Sequence, residues 1–302
     1  MPQLCTVCGD TLKPLYPEVR DPLTDELFAI LTCKRCGLGH TVPQPADLSR
    51  YYAATYYGNR HGLTLRYCMR RRLRLVAAAV PEGAGRRLLD IGCGDGSFLL
   101  TASLAGWSVM GTELNPDPAR RAGLDVREDI GQVAGEGQFD CITLWHTLEH
   151  MRDIPYMLRH VARLLKPDGK VIIAVPDFGG LQAKVFRGKW LHLDVPRHLY
   201  HFDADALRYA LASCGFSVEQ KWHQEFEYDL LGWSQSALNY IVPYPNVFLD
   251  SLAGKQSGRS TSTVAASFVL GAVLSVLALP LVALGTLAKR GGTLIVVAGK
   301  AG

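Results

Sequence analysis

The stretch Arg86-Arg-Leu-Leu-Asp90-Ile-Gly92-Cys-Gly94-Asp-Gly96-Ser-Phe98 constrains this chain more than any other. An apolar run stops at Asp90 and breaks into three glycines at alternate positions, which predicts a buried strand, a tight turn and a new helix. Without Cβ atoms, Gly92, Gly94 and Gly96 let the backbone take dihedrals closed to other residues and approach a ligand closely. The first N–H groups of the helix then point at that ligand. A nucleoside-containing molecule suits such a turn.

The spacing separates two kinds of nucleoside site. A dinucleotide fingerprint puts its third glycine three residues after the second and holds a pyrophosphate at the helix N-terminus. Here the order is Asp-x-Gly-x-Gly-x-Gly. An acid before the first glycine repels a pyrophosphate, but it can fix the loop or hold an amino-bearing ligand through charge-assisted hydrogen bonds. The pattern resembles motif I of the class I S-adenosylmethionine-dependent methyltransferases. On this motif alone, a plain glycine turn of another α/β protein is the alternative.

The chain downstream continues the same scheme. Trp107–Glu113 reads as a second strand closed by an acid about 20 residues after the glycine turn, where a carboxylate can take both hydroxyls of a ribose. A third strand around Asp125–Arg127 leads into Glu128-Asp129-Ile130, where the resemblance implies that Asp129 reads the adenine amino group. It also implies that Leu114, Ile130 and Trp145 line the donor site beside Asp90, the three glycines and Glu113. Phe139–Trp145 is a fourth strand, apolar as a strand covered on both faces must be. Asp153–Lys166 reads as a helix with Ile154, Met157, Leu158, Val161, Leu164 and Leu165 on one face, and Lys170–Val175 as strand five. Leu-Lys-Pro-Asp-Gly-Lys ahead of that strand again resembles the methyltransferase family. The expected fold is α/β: a doubly wound, seven-stranded, mostly parallel Rossmann-like sheet with an antiparallel strand seven at Gly292–Lys300, next to strand six at Phe216–Trp222. A small N-terminal zinc ribbon is expected beside it. The expected division is a zinc-ribbon-like module over 1–45, a linker and helical cover over 46–84, and the methyltransferase domain over 85–302.

Of 302 residues, 48% are hydrophobic and 20% charged, enough for one large α/β core and an accessory module. A net charge of +4 is too small to demand nucleic acid or a membrane, so a nucleic-acid partner is not expected. Met1-Pro-Gln-Leu lacks the basic and apolar regions of a secretory signal, and the expected location is the reducing cytoplasm.

The eight cysteines fall into two groups. Cys5-x-x-Cys8 and Cys33-x-x-Cys36 are knuckles separated by 24 residues, each followed by a glycine. A tetrahedral zinc held by four thiolates is the natural reading, structural because no coordination position stays open. A redox dithiol pair is the alternative. Metal binding would supply the folding energy of so short a segment. Cys68, Cys93, Cys141 and Cys214 have no partner spacing and read as buried small hydrophobes.

Pro43-Gln-Pro45 and the tyrosine-dense Tyr51–Tyr57 follow. Knuckles, tyrosines and methyltransferase core together resemble enzymes of bacterial surface-polysaccharide and deoxysugar pathways, which implies a sugar-like or lipid-linked acceptor. The tyrosines can stack on sugar, cover the donor site or merely pack between domains. Residues 63–79 look helical, with Leu65, Met69, Leu73 and Val76 apolar and Arg66, Arg70 and Arg74 on a neighbouring face; five arginines in nine residues suit either a solvated face or a phosphate or nucleotide-sugar.

Two histidine clusters follow strands four and five. The first is Trp145-His146-Thr147-Leu148-Glu149-His150, whose Leu-Glu-His portion resembles a motif of many small-molecule methyltransferases. His146, at the strand tip, is the first general-base candidate, because imidazole can take a proton near neutral pH. Glu149 and His150 are assigned to the substrate loop; a divalent metal on the two is disfavoured, since adjacent helical positions point apart. The second cluster, Trp190–Phe202, carries His192, Arg197, His198 and His201. His198, in a Pro-Arg-His-Leu sequence that resembles the family's, is the alternative base. Arg197 can hold a carboxylate or phosphate, and His192 and His201 are counted on the substrate side.

An insertion at 225–290 separates strands six and seven, far longer than an ordinary loop. Its tail, Val264–Ala288, holds 25 uncharged residues and ends in Lys289-Arg290, a length able to span a bilayer. A single crossing would put strand seven on the wrong side of the membrane. A helical hairpin bent near Pro280 at the inner membrane face and a packed helical lid both remain open, and Tyr228–Tyr240 reads as a substrate-side cover in either case. The expected activity is methyl transfer from S-adenosylmethionine to an oxygen or carbon of a sugar-like or lipid-linked small molecule. The alternatives are ribosomal RNA methylation and a noncatalytic donor-binding scaffold.

Overall fold

The structure, a computed structural model, describes residues 3–51, 64–80, 85–242, 246–252 and 260–302. Tyr51 lies among them. The rest of the tyrosine-dense stretch and the linker parts at 52–63 and 81–84 lie outside the described residues. In chain order the elements are β1 (Leu12–Arg20), β2 (Leu27–Cys33), β3 (Gly39–Val42), α1 (Leu65–Ala79), β4 (Arg87–Ile91), α2 (Ser97–Leu104), β5 (Ser108–Thr112) and α3 (Asp117–Arg121). There follow β6 (Val126–Arg127), β7 (Phe139–Trp145), α4 (Ile154–Leu164), β8 (Leu165–Pro176), α5 (Leu181–Phe186), β9 (Tyr200–His201), α6 (Ala204–Ser213) and β10 (Phe216–Trp222). The chain closes with α7 (Phe226–Ile241), α8 (Val247–Leu252), α9 (Thr261–Leu287) and β11 (Thr293–Lys300).

These elements form two compact units that are not consecutive stretches of chain. One comprises residues 1–62, 176–207 and 222–294; the other comprises 63–175, 208–221 and 295–302.

The second unit is built on the seven-stranded sheet, in the order β10-β11-β8-β7-β4-β5-β6, mostly parallel with one antiparallel strand as expected. Its central strands are largely apolar because helices cover both faces. Every residue of β7 except Asp140 is buried, and so are Val171–Pro176 of β8. Helix α4 shows why the helices form where they do. Asp153 caps it by accepting from Tyr156 N at 2.8 Å, Pro155 sits in its first turn, and Ile154, Met157, Leu158, Val161 and Leu164 form the buried stripe. Each such side chain stabilises the core by about 1.5–3 kcal/mol. Strands β5 and β6 lie on one side of β4, and β7 and β8 on the other. The chain order therefore reverses at β4, and ligands of open α/β sheets bind at the carboxyl ends of the strands at such a point.

The first unit holds a four-stranded sheet, β1-β2-β3-β9. Its last strand comes from the segment after β8 and was not foreseen: β9 pairs antiparallel with β3, with His40 opposite Tyr200 and Gly39 opposite His201. Gly39 has to be glycine, since an added Cβ would lie 2.9 Å from His201 Cβ. The core of this unit joins Val19, Phe28 and Ile30 of the sheet to Phe186, Trp190 and Trp233, and to Ala278 and Val282 of α9. The insertion thus forms α7, α8 and one long helix that runs through Pro280, which replaces the bent hairpin considered from sequence. Ala278 and Val282, on either side of the proline, both pack into the core and hold the helix in one piece.

Candidate active site

The register of the parallel strands brings the expected donor residues to one edge. Ile91 of β4 lies beside Thr112 of β5 and Leu144 of β7, Thr112 lies beside Arg127 of β6, and Trp145 beside Ala174 of β8. Gly92, Glu113, Asp129 and His146 therefore all leave the carboxyl ends of neighbouring strands.

The glycines meet different demands. Gly92, Gly94 and Gly96 have φ of +72°, +58° and +82°. At Gly92 a Cβ would lie 2.5 Å from Thr147 Oγ1, so the turn and the β7 loop can close only over a glycine. Gly96 starts α2, where a Cβ would strike Leu124 and Ala119. At Gly94 an added Cβ meets nothing within 4 Å. The turn is open there, which is the cradle a closely approaching nucleoside needs.

Glu113 fixes that turn. Its Oε2 accepts from Gly94 N at 2.9 Å, while Oε1 receives only a long 3.5 Å contact from Asn115 N, leaving lone pairs for ribose hydroxyls. Asp90 lies beneath the turn, fully buried, and accepts from Thr143 Oγ1 at 2.6 Å. Burial pushes its carboxyl up to about 7, against the lowering effects of Thr143 and of the Arg72 charge. A ligand ammonium beside it would favour its ionised form. Trp145 Nε1 is buried and has no hydrogen-bond partner among the described residues. The ring stands edge-on to Phe98 at 5.7 Å with the Arg72 guanidinium 5.1 Å above it. Asp129 Oδ1 accepts from Gly131 N at 2.7 Å and caps its own 3₁₀ turn, Ile130 is buried behind it, and Leu114 is 85% exposed. An open cradle, an acid with spare acceptors and an unpaired indole N–H fit a nucleoside with an amino-acid tail.

His146 stands at the tip of β7 with φ of +52°, a left-handed conformation that costs a non-glycine residue energy and marks a held position. Its backbone N–H bonds Ala174 O at 2.9 Å. Its Nδ1 faces Glu149 Oε1 at 3.6 Å, and both side chains are buried. At that distance the two groups face each other without a hydrogen bond. His150 is half-buried on the same short 3₁₀ turn.

The second cluster is bolted to the four-stranded sheet. Thr41 of β3 donates to His198 O at 2.6 Å, shares a 2.9 Å bond with His201 Nε2, and takes Leu199 O on its backbone N–H. His198 Nδ1 bonds the carbonyl of His192 at 2.9 Å, which makes Nδ1 the donor and Nε2 the basic nitrogen of the neutral ring. His192 Nε2 bonds Tyr228 O at 3.1 Å. Arg197 has a structural post in place of the free cation that a substrate anchor needs. Its guanidinium, 2% exposed, is gripped by Asp21 at 2.9 Å, Asp194 at 2.7 Å and Tyr51 O at 3.0 Å.

Arg72 is the site residue that sequence reading missed. It lies on the buried face of α1 with Cys68, Met69 and Val76, while Arg66, Arg70 and Arg74 are exposed as expected. Its spacing of four from both Cys68 and Val76 was the available signal. Cys93 and Cys141 are buried like Cys68, and Cys214 is half-buried.

The sulfurs of Cys5, Cys8, Cys33 and Cys36 lie within 4.8 Å of one another. The separations Cys8–Cys33, Cys5–Cys36 and Cys8–Cys36 are 3.3, 3.6 and 3.7 Å, too long for S–S bonds. A tetrahedron with metal–sulfur bonds of about 2.3 Å has edges of about 3.8 Å. The donor set therefore fits a thiophilic dication. Burial pushes the Cys5 thiol up to about 11, and a bound dication would favour its thiolate.

Residues 59–221, just over half of the chain, match the methyltransferase domain family. The chain belongs to that family, with the fold of the class I S-adenosylmethionine-dependent methyltransferases. A ubiquinone biosynthesis O-methyltransferase of Xanthomonas oryzae pv. oryzae is 38% identical over 147 residues, 43% of this chain and 60% of the relative. A protein of the same name from Pseudomonas aeruginosa is 35% identical over 103 residues, 30% of this chain and 44% of the relative. The chain thus spans less than two thirds of the length of these curated relatives. Haemonchus contortus phosphoethanolamine N-methyltransferase 2 in complex with S-adenosyl-L-methionine shares the fold, with a TM-score of 0.55 at 16% identity over 97% of this chain and 70% of that one.

Proposed function

We propose that the chain transfers the methyl group of S-adenosylmethionine to a hydroxyl oxygen, or an acidic carbon, of a sugar-like or lipid-linked small molecule. The observation that carries this reading is the Gly94–Glu113 clamp: an open glycine turn pinned at 2.9 Å by an acid with lone pairs to spare. Glu113 would hold the ribose, Asp90 the ammonium, Asp129 and Ile130 the adenine edge, and Leu114 and Trp145 would line the donor. The bound donor supplies an already activated methyl group. The protein then has to align acceptor and donor in line, exclude water and remove one proton. His146 is the favoured base, because it leaves the same sheet edge as the donor residues and is held at the tip of β7. His198 is the alternative. Oxygen is the favoured acceptor atom, since the relatives are named O-methyltransferases. Arg197 is left out of substrate binding on the strength of its buried ion pairs. Zinc on the four cysteines would be structural, holding β1–β3 together.

Calorimetric titration tests the donor site. One S-adenosylmethionine per chain is expected, with binding abolished in Gly94→Val, whose side chain would fill the cradle and whose φ a β-branched residue cannot adopt. Unaltered binding in that variant would remove the site from the glycine turn.

A further inference from the structure

Helix α9 points to a second surface. Among the described residues it is the one helix long and apolar enough to cross a membrane, 27 residues or about 40 Å, yet only 22% of its apolar window is buried. The buried part is a narrow stripe of small side chains, Ser267, Gly271, Ala278, Val282 and Gly285, with Ala278 and Val282 in the unit's core and Gly271 against Phe248 of α8. The opposite stripe, Val269, Val273, Val276, Leu277, Leu284 and Leu287, recurs at helical spacing and is exposed, Val276 and Leu277 by 66% and 63%. No charged residue interrupts either stripe. A soluble surface helix carries polar residues on its outward face; one that is apolar all round needs a non-aqueous neighbour.

Charge selects the neighbour. From residue 251 to the end the sequence has five basic residues, Lys255, Arg259, Lys289, Arg290 and Lys300, and no acid. Lys289 and Arg290 follow the helix directly, and in the sequence Lys255 and Arg259 precede it. An apolar face next to basic residues matches an anionic lipid surface. A second copy of the chain would bring the same basic residues and the same charge to the contact.

We infer that α9 seats this unit on an anionic bilayer surface by its outward stripe, without crossing. Spanning is excluded by the inward stripe. Ala278 and Val282 share one core with Phe28, Trp190 and Trp233, so a crossing helix would drag the sheet of the unit into the hydrocarbon. This inference needs neither donor nor acceptor and stands apart from the methyl-transfer reading.

Vesicle flotation of the full chain tests it. The protein should float with phosphatidylglycerol-containing vesicles at low salt, and much less with pure phosphatidylcholine. The double substitution Val276→Asp/Leu277→Asp, at positions whose exposure spares the fold, should cut the floated fraction roughly tenfold. Lys289→Glu/Arg290→Glu should erase the preference for anionic lipid, and Leu104→Asp, on an exposed leucine of the other unit, should change nothing. Circular dichroism checks that each variant folds. Wild-type protein that stays at the bottom of the gradient, or floats equally well with both α9 valine and leucine replaced, overturns the inference. So does a homodimer, seen by sedimentation, that the aspartates dissociate while vesicles bind nothing.

Discussion

Replacing Glu113 by alanine removes two things at once, and the structure separates them. One carboxylate oxygen holds Gly94 N at 2.9 Å, and losing that bond frees the turn at a cost of about 0.5–1.5 kcal/mol. The remaining lone pairs are those available to ribose hydroxyls, and bonds to a charged acceptor contribute about 1.5–3 kcal/mol. Together the substitution should weaken S-adenosylmethionine binding by about 2–4.5 kcal/mol, roughly 30- to 2000-fold in Kd. Glu113→Gln keeps an oxygen for Gly94 N but loses the charge, so its loss should be visibly smaller. Isothermal titration of wild type and both variants, with S-adenosylmethionine and with S-adenosylhomocysteine, measures the difference. A Kd for the alanine variant within about threefold of wild type, with an unchanged circular dichroism spectrum, would refute the assignment of Glu113 to the donor.

Three further outcomes are expected. His146→Ala should slow methyl transfer by roughly 100-fold or more and remove the acidic limb of the pH–rate profile, while leaving donor affinity intact; His198→Ala should do less. If His198→Ala abolishes turnover and His146→Ala does not, the base lies in the second cluster. Metal analysis should find one zinc per chain, lost in Cys5→Ser and in Cys33→Ser with destabilisation of β1–β3; full folding without any metal contradicts the four-thiolate site. Asp90, raised from 3.8 to about 7 by burial, contributes stability that is fully present below about pH 4 and lost as pH rises through 7. Asp90→Asn should therefore gain on the wild type by up to about 4 kcal/mol across that window in denaturant titrations without ligand. A gap that does not vary with pH would show that Asp90 is ionised at little cost.

The donor side was legible because its chemistry is local. Alternating glycines, an acid about 20 residues on and apolar strands at regular intervals fix a parallel sheet and its carboxyl edge without long-range information. Some limits followed for the same reason: Asp153 caps α4 at the predicted position, and β10 covers Phe216–Trp222 as expected, whereas α4 stops at Leu164 and β8 begins at Leu165, inside the stretch expected to be helix. What stayed hidden depends on contacts distant in sequence. Strand β9 is two residues long and joins β3 across about 160 positions, so nothing around Tyr200 announces it. Arg197 read as a cation able to hold a carboxylate or phosphate because Asp21, its buried partner, lies far away in the knuckle segment. Arg72 was masked by the exposed arginines around it, Arg66, Arg70 and Arg74. Pro280 suggested a hinge, and only the packing of Ala278 and Val282 shows why the helix continues.

The most direct test of methyl transfer itself is label transfer from methyl-labelled S-adenosylmethionine into separated polar and lipid extracts incubated with wild-type chain, Gly94→Val and His146→Ala. Label should enter one fraction with S-adenosylhomocysteine released in equal amount, strongly reduced in both variants. Donor binding without label in any fraction, or label that Gly94→Val leaves unchanged, would contradict a methyltransferase built on this glycine turn.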